Sequence, residues 1–190
     1  MNHEKLETAV YTLLQAIGED PERPGLRRTP TRVADMFGEI LDGYQINPAE
    51  FIAEAVSEVV YDEMIVVKDI EFFSMCEHHL LPFFGRVHVA YVPQEKIVGL
   101  SKIPRMVDIF AHRLQVQERM TQQIAETLVE VLAPQGVGVI VEGMHLCARM
   151  RGVKKQEARL VTSTMLGSFK SRPATRQEFL TLLKMGATDG

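Results

Sequence analysis

The apolar spacing of this chain changes at about Glu63, and that change most limits the folds open to it. Before it the pattern is helical. Leu6, Val10, Leu13 and Ile17 recur at helical intervals until Gly18 ends the run. Residues 19–28 are rich in Pro, Gly and charge and read as a loop. Thr29 and Pro30 supply an N-cap followed by proline at the first helical position, with Val33, Met36, Phe37, Ile40 and Leu41 as the apolar stripe behind them. Asn47 and Pro48 open a short third helix. After Glu63 the β-formers take over: Ile65, Val66, Val67, Ile70, Phe72 and Phe73 predict one strand. Residues 85–92 predict a second, with Val87, Val89 and Tyr91 on one face.

Two helices follow, one from near Pro104 and one carrying Met120, Ile124, Leu128 and Val131. Residues 137–149 and 160–169 predict two more strands, and Thr175 with Glu178 forms a capping box for a terminal helix. The order is helices, then β-β-α-α-β-β, then a helix. This is an α+β arrangement with an antiparallel four-stranded sheet. Residues 1–60 are expected to form an N-terminal helical region and residues 61–190 the α+β domain. The two open sheet edges favour a homo-oligomer that pairs them.

Composition narrows the function. A chain of 190 residues, 46% hydrophobic and 24% charged, can bury a core. A net charge of -4 argues against nucleic acid as a partner, yet leaves room for a small anion in a basic cleft. No apolar run approaches the ~20 residues of a membrane span. The first residues resemble neither a signal nor a transit peptide, so a cytoplasmic location and no membrane are expected.

The two cysteines both stand beside histidines: residues 76–79 read Cys-Glu-His-His and residues 145–147 read His-Leu-Cys. Cys76 and His79 have the spacing from which one turn reaches one metal. His145 and Cys147, two apart in an expected strand, should share a face. Thiolate and imidazole are donors that zinc prefers. Cys76, His78, His79, His145 and Cys147 are all candidates, and spacing does not choose between a closed structural site and an open catalytic one.

Three basic or polar groups add to this. Residues 99–105 open a helix with Ser101, Lys102 and Arg105, a combination suited to phosphate. Arg149, Arg151, Lys154 and Lys155 follow Cys147 directly. In residues 115–119, a carboxylate beside an amide, Glu118 and Gln117, can read a guanine edge.

Together these motifs, in this order, resemble the zinc-dependent GTP cyclohydrolase I family. The likeness runs from about Thr29 to the terminal helix and is carried by residues 76–79, 99–102, 115–119 and 145–147 with Arg151 and Gly152. It implies a tunnelling fold (T-fold) assembled into a homodecamer with active sites between subunits. It implies hydrolysis of GTP to 7,8-dihydroneopterin triphosphate and formate, the entry step to tetrahydrofolate and other pterins. It also implies Zn2+ on Cys76, His79 and Cys147, with His78, His145 and Ser101 catalytic. Gln117 and Glu118 would then hold guanine, and Lys102, Arg105, Arg151 and Arg32 the triphosphate. The competing readings are a zinc-stabilised module that binds a purine or pterin without turnover, and a sister enzyme of the same fold acting on another pterin or deazapurine.

Overall fold

A computed structural model describes residues 1–185. The chain divides into two compact units, residues 1–42 and 43–190. The first contains α1 (His3–Ala16) and α2 (Thr29–Ile40). Asn2 caps α1, its side-chain oxygen accepting from the Lys5 amide. α2 starts one residue earlier than expected: Thr29 is already helical, Arg28 is the cap residue, and Pro30 lies in the first turn.

The second unit begins with a 3-10 turn that continues to Gln45, followed by α3 (Pro48–Ala53) and β1 (Val56–Glu58). α3 and β1 belong here by packing: Ile52 is fully buried in the main core. The sheet strands β2 (Ile65–Cys76) and β3 (Leu81–Val92) come next, then β4 (Lys96–Val98), which pairs with β1. α4 (Lys102–Ala111), β5 (Leu114–Gln115) and α5 (Gln117–Leu132) follow. The chain closes with β6 (Gly136–His145), α6 (Leu146–Arg149), β7 (Leu160–Gly167), α7 (Ser168–Ser171) and α8 (Pro173–Lys184).

The β-β-α-α-β-β order is present, with one addition. The sheet has five strands, ordered β5-β2-β3-β6-β7, because β5 pairs parallel with the end of β2. α4 and α5 cover one face. Val87, Val89 and Tyr91 point into it as expected, against Met106, Ile124 and Leu128, all at most 1% exposed. Part of the other face is covered by Phe169 and Phe179 of α7 and α8, packed on Ala90. Gly138 makes that possible: a Cβ there would stand 2.6 Å from the Phe169 ring. No helix among the described residues is long and apolar enough to cross a membrane.

One irregularity sets the facing of β2. Val67 pairs with Val89 but Ile70 pairs with Val87, so Lys68 and Asp69 together oppose His88. Asp69 takes φ +59, in the left-handed region. This β-bulge absorbs an extra residue. Ile65 and Val67 face α4 and α5 before it, and Ile70, Phe72 and Cys76 face them after it. The bulge is stapled from β3: the Asp69 amide donates to His88 Nδ1 at 3.1 Å, and Arg86 pairs with the Asp69 carboxylate at 3.2 Å. Lys68 donates to the carbonyls of Leu182 and Met185 at the end of α8, where a cation is favoured.

Burial lowers the His88 pKa below its ordinary 6.5, against the opposing pull of Asp69 and Glu142. The unfolded chain therefore takes up this proton first. The stability carried by neutral His88 is full above the unfolded pKa and is lost as pH falls through the folded one. His88→Ala is expected to lose about 1 kcal/mol at neutral pH by orphaning the Asp69 amide. Urea titrations at pH 7.5 and 5.5 check this: wild type should lose more stability between the two than the variant does.

Candidate active site

β2 delivers Cys76 as its last residue, and residues 77–80 turn back into β3. The amides of His79 and Leu80 both donate to the Cys76 carbonyl, so the turn is a single helical coil that returns His79 toward Cys76. Leu80 closes it at φ +52, a conformation that costs a leucine roughly 1–2 kcal/mol. Two groups hold this coil from behind. Gln115 accepts from the Glu77 amide through its carbonyl, and Arg119 donates to the Glu77 carboxylate, to Gln115 Oε1 and to the Leu114 carbonyl. The Arg119 guanidinium keeps the Glu77 carboxyl below its usual pKa.

The third donor arrives differently from the sequence expectation. β6 ends at His145, and Cys147 lies in the helical turn α6. The two side chains therefore do not project side by side from one strand. His145 stacks on Phe83, ring centroids 4.5 Å apart and planes 7° from parallel. Cys147 instead joins Cys76 and His79, whose donor atoms and its own all lie within 4.8 Å of one another.

These three suit a metal ion. Thiolate and imidazole bonds of about 2.0–2.3 Å to a tetrahedral ion set donors about 3.3–3.8 Å apart, so the group needs only a slight contraction. The donors are soft and borderline, and two thiolates would neutralise a dication. Burial pushes the Cys147 thiol pKa up, reinforced by Cys76, with Arg151 opposing. Metal binding would therefore displace thiol protons. His78 stands just outside the group, exposed, its Nδ1 3.7 Å from the Cys76 sulfur.

His145 is partly buried, which lowers its pKa, while the charge of Glu118 raises it. Its Nε2 lies 2.9 Å from Oε1 of Gln117. Gln117 is fully buried, and its Nε2 donates to the carbonyls of Val141 and Leu160 and to Thr162 Oγ1. The Gln117 side-chain amide is thus bonded inside the protein. Helical phase carried the signal, since Gln117 shares the stripe of Met120, Ile124 and Leu128. Phe83 and Arg119 were missed because their partners are distant in sequence. Glu118, one residue on, is exposed in the first turn of α5.

The anion-binding candidates are dispersed. Ser101 is exposed at the start of α4 with no capping bond from its hydroxyl, and Arg105 is exposed. Lys102 is already engaged: its ammonium donates to the Phe51 carbonyl and the Glu54 carboxylate, each at 2.9 Å, and sits 3.8 Å from the centre of the Phe51 ring. Arg151 is exposed in the loop after α6, and Arg32 is exposed on α2 in the first unit.

Residues 6–184 match the family model described as GTP cyclohydrolase I. The chain belongs to the GTP cyclohydrolase I family. Relatives named GTP cyclohydrolase 1 include one from Chlorobium phaeovibrioides, 55% identical over 95% of this chain and 81% of its own. Another, from Campylobacter lari, is 53% identical over 95% of each chain, and one from Leptospira biflexa is 51% identical over 96% of this chain and all of its own. A solved archaeosine synthase QueF-like structure covers 55% of this chain and 93% of its own at 18% identity, with a TM-score of 0.44. The three candidate metal donors and His145 come from the ends of β2 and β6, neighbours of β3 in the sheet.

The bulge predicts opposite outcomes for two single-residue deletions. Deleting Asp69 removes the extra residue and keeps Cys76 facing the helices, so metal content by elemental analysis should persist. Deleting Glu71 turns Cys76 to the opposite face, and metal should be lost.

Proposed function

We propose that this chain is a zinc-dependent GTP cyclohydrolase I that converts GTP and water to 7,8-dihydroneopterin triphosphate and formate. The observation that carries the reading is that Cys76, His79 and Cys147 converge, with His78 against Cys76 outside the donor group and His145 ending the strand that leads to Cys147. Three protein donors are what an open, catalytic site uses. Family membership supports the substrate.

Cys76, His79 and Cys147 would hold the zinc, which when bound supplies the Lewis acidity that activates water near neutral pH. His145 gives a proton to the imidazole nitrogen of guanine as that ring opens at C8. A second hydrolysis releases formate. His78 moves protons during ribose opening and rearrangement, with Ser101 as an accessory hydroxyl. The Glu118 carboxylate accepts from guanine N1–H and the exocyclic amine. Arg105 and Arg151 hold the triphosphate, joined by Lys102 once it leaves Glu54 and by Arg32 from a neighbouring subunit.

The same reading makes the protein a cytoplasmic homodecamer that feeds tetrahydrofolate and pterin synthesis. The exposed outer strand β7, with Val161 60% exposed, and the exposed Phe73 on the face opposite α4 and α5 support assembly through these surfaces.

Zinc-loaded protein given GTP should release formate together with an equimolar pterin that fluoresces after oxidation. Absence of formate at verified zinc occupancy would falsify the reading. His145→Ala should retain zinc and lower kcat by about 10²–10⁴-fold. Cys147→Ala should lose the zinc itself, and sedimentation should report the decamer.

A further inference from the structure

A buried amide decides which nitrogen of His145 faces it as a donor. Gln117 Nε2 faces two main-chain carbonyls, Val141 O at 3.1 Å on β6 and Leu160 O at 3.0 Å on β7. Carbonyl oxygens only accept, so the amide must present its nitrogen to them. A flipped amide would set its oxygen against both. Oε1 is thus left facing His145, and an amide oxygen can only accept.

A second set of bonds fixes the same orientation. Thr121 Oγ1 donates to the Gln117 main-chain carbonyl at 2.7 Å. Its hydrogen being used there, the 2.7 Å contact between Thr121 and Thr162 hydroxyls must be donated by Thr162. The Thr162 oxygen then accepts from Gln117 Nε2 at 3.1 Å. The amide's two hydrogens are shared among three acceptors, none of which can be reversed. Gly143 keeps room for this arrangement, since a Cβ there would lie 2.2 Å from Gln117 Oε1. Phe83, stacked on the imidazole, holds the ring plane.

We infer that Gln117 is a positioning residue that holds the His145 imidazole as the Nε2–H tautomer, leaving Nδ1 as the ring nitrogen available to the reaction. Which nitrogen of a histidine carries the proton is set by the bond the other makes. Here Nε2–H is tied to an acceptor that cannot give a proton back. The catalytic part rests on the proposed cyclohydrolase reaction, whereas the tautomer is a property of the protein alone.

Neutron diffraction from the deuterated, zinc-loaded enzyme at pH 8 reads the tautomer without any turnover. Deuterium on His145 Nε2 with Nδ1 bare is expected, and deuterium on Nδ1 with Nε2 bare overturns the inference. Kinetics with GTP then separate positioning from guanine binding. Gln117→Leu should lower kcat about tenfold or more with KM nearly unchanged and zinc retained. Gln117→Glu can keep an oxygen toward Nε2–H and, protonated, donate toward a carbonyl, so it should restore much of that loss. Equal kcat for the two variants, or a change confined to KM, defeats the positioning role. Thr162→Val leaves both carbonyl acceptors in place and provides a milder variant should the Gln117 changes impair folding; it should lower kcat by a smaller factor, and an unchanged kcat counts against the network.

Discussion

Everything at this site depends on the antiparallel pairing of β2 with β3, and on the extra residue that pairing accommodates. A strand alternates its side chains strictly, so the facing of Cys76 is settled seven residues earlier at Asp69. The bulge converts a β2 sequence of unsuitable parity into one that buries Ile70 and Phe72 under the helices and ends on a candidate metal donor, Cys76. Its left-handed residue is tolerable because the Asp69 amide has a partner in His88 and its carboxylate one in Arg86. The strand ends of β2 and β6, both neighbours of β3, then bring donors separated by about seventy positions into one cluster.

A second layer of polar groups, with Gln115 and Gln117 buried and Arg119 exposed, turns that cluster into an ordered site. Gln115 and Arg119 brace the coil that carries His79, while Gln117 braces His145. These residues occupy the entry to α5, and alternate members face the loop and the sheet. The segment serves the site chiefly from within. Its one exposed carboxylate, Glu118, remains free to meet a ligand. Polar residues buried with every bond directed are costly to disturb, because each lost partner orphans a group with no water to replace it.

Much of the fold was legible because long amphipathic patterns declare themselves. The stripes of α2 and α5 and the alternation of Val87, Val89 and Tyr91 are periodic over enough residues to stand above noise. What escaped was non-local. β5 is two residues long and exists only because Met75 and Cys76 lie beside it. The bulge requires His88, nineteen positions away. The break of β6 into α6 at Cys147 has no glycine or proline to announce it. At the site, the cysteines and histidines stood out by their chemistry and their close spacing. Gln117 did not, since a glutamine at a helix start reads alike whether it faces water or the core; only its phase with Met120 and Ile124 separates the two.

The engagement of Lys102 has a consequence for how an anion arrives. Its ammonium already has a counter-charge in Glu54 and a carbonyl in Phe51, and only 15% of its side chain is exposed. An incoming polyanion that recruits it exchanges one carboxylate for another negative group. That exchange leaves the lysine's own charge balance almost unchanged and releases Glu54 to solvent. The ionic-strength dependence of ligand capture should therefore be shallower than a simple tally of nearby cations implies.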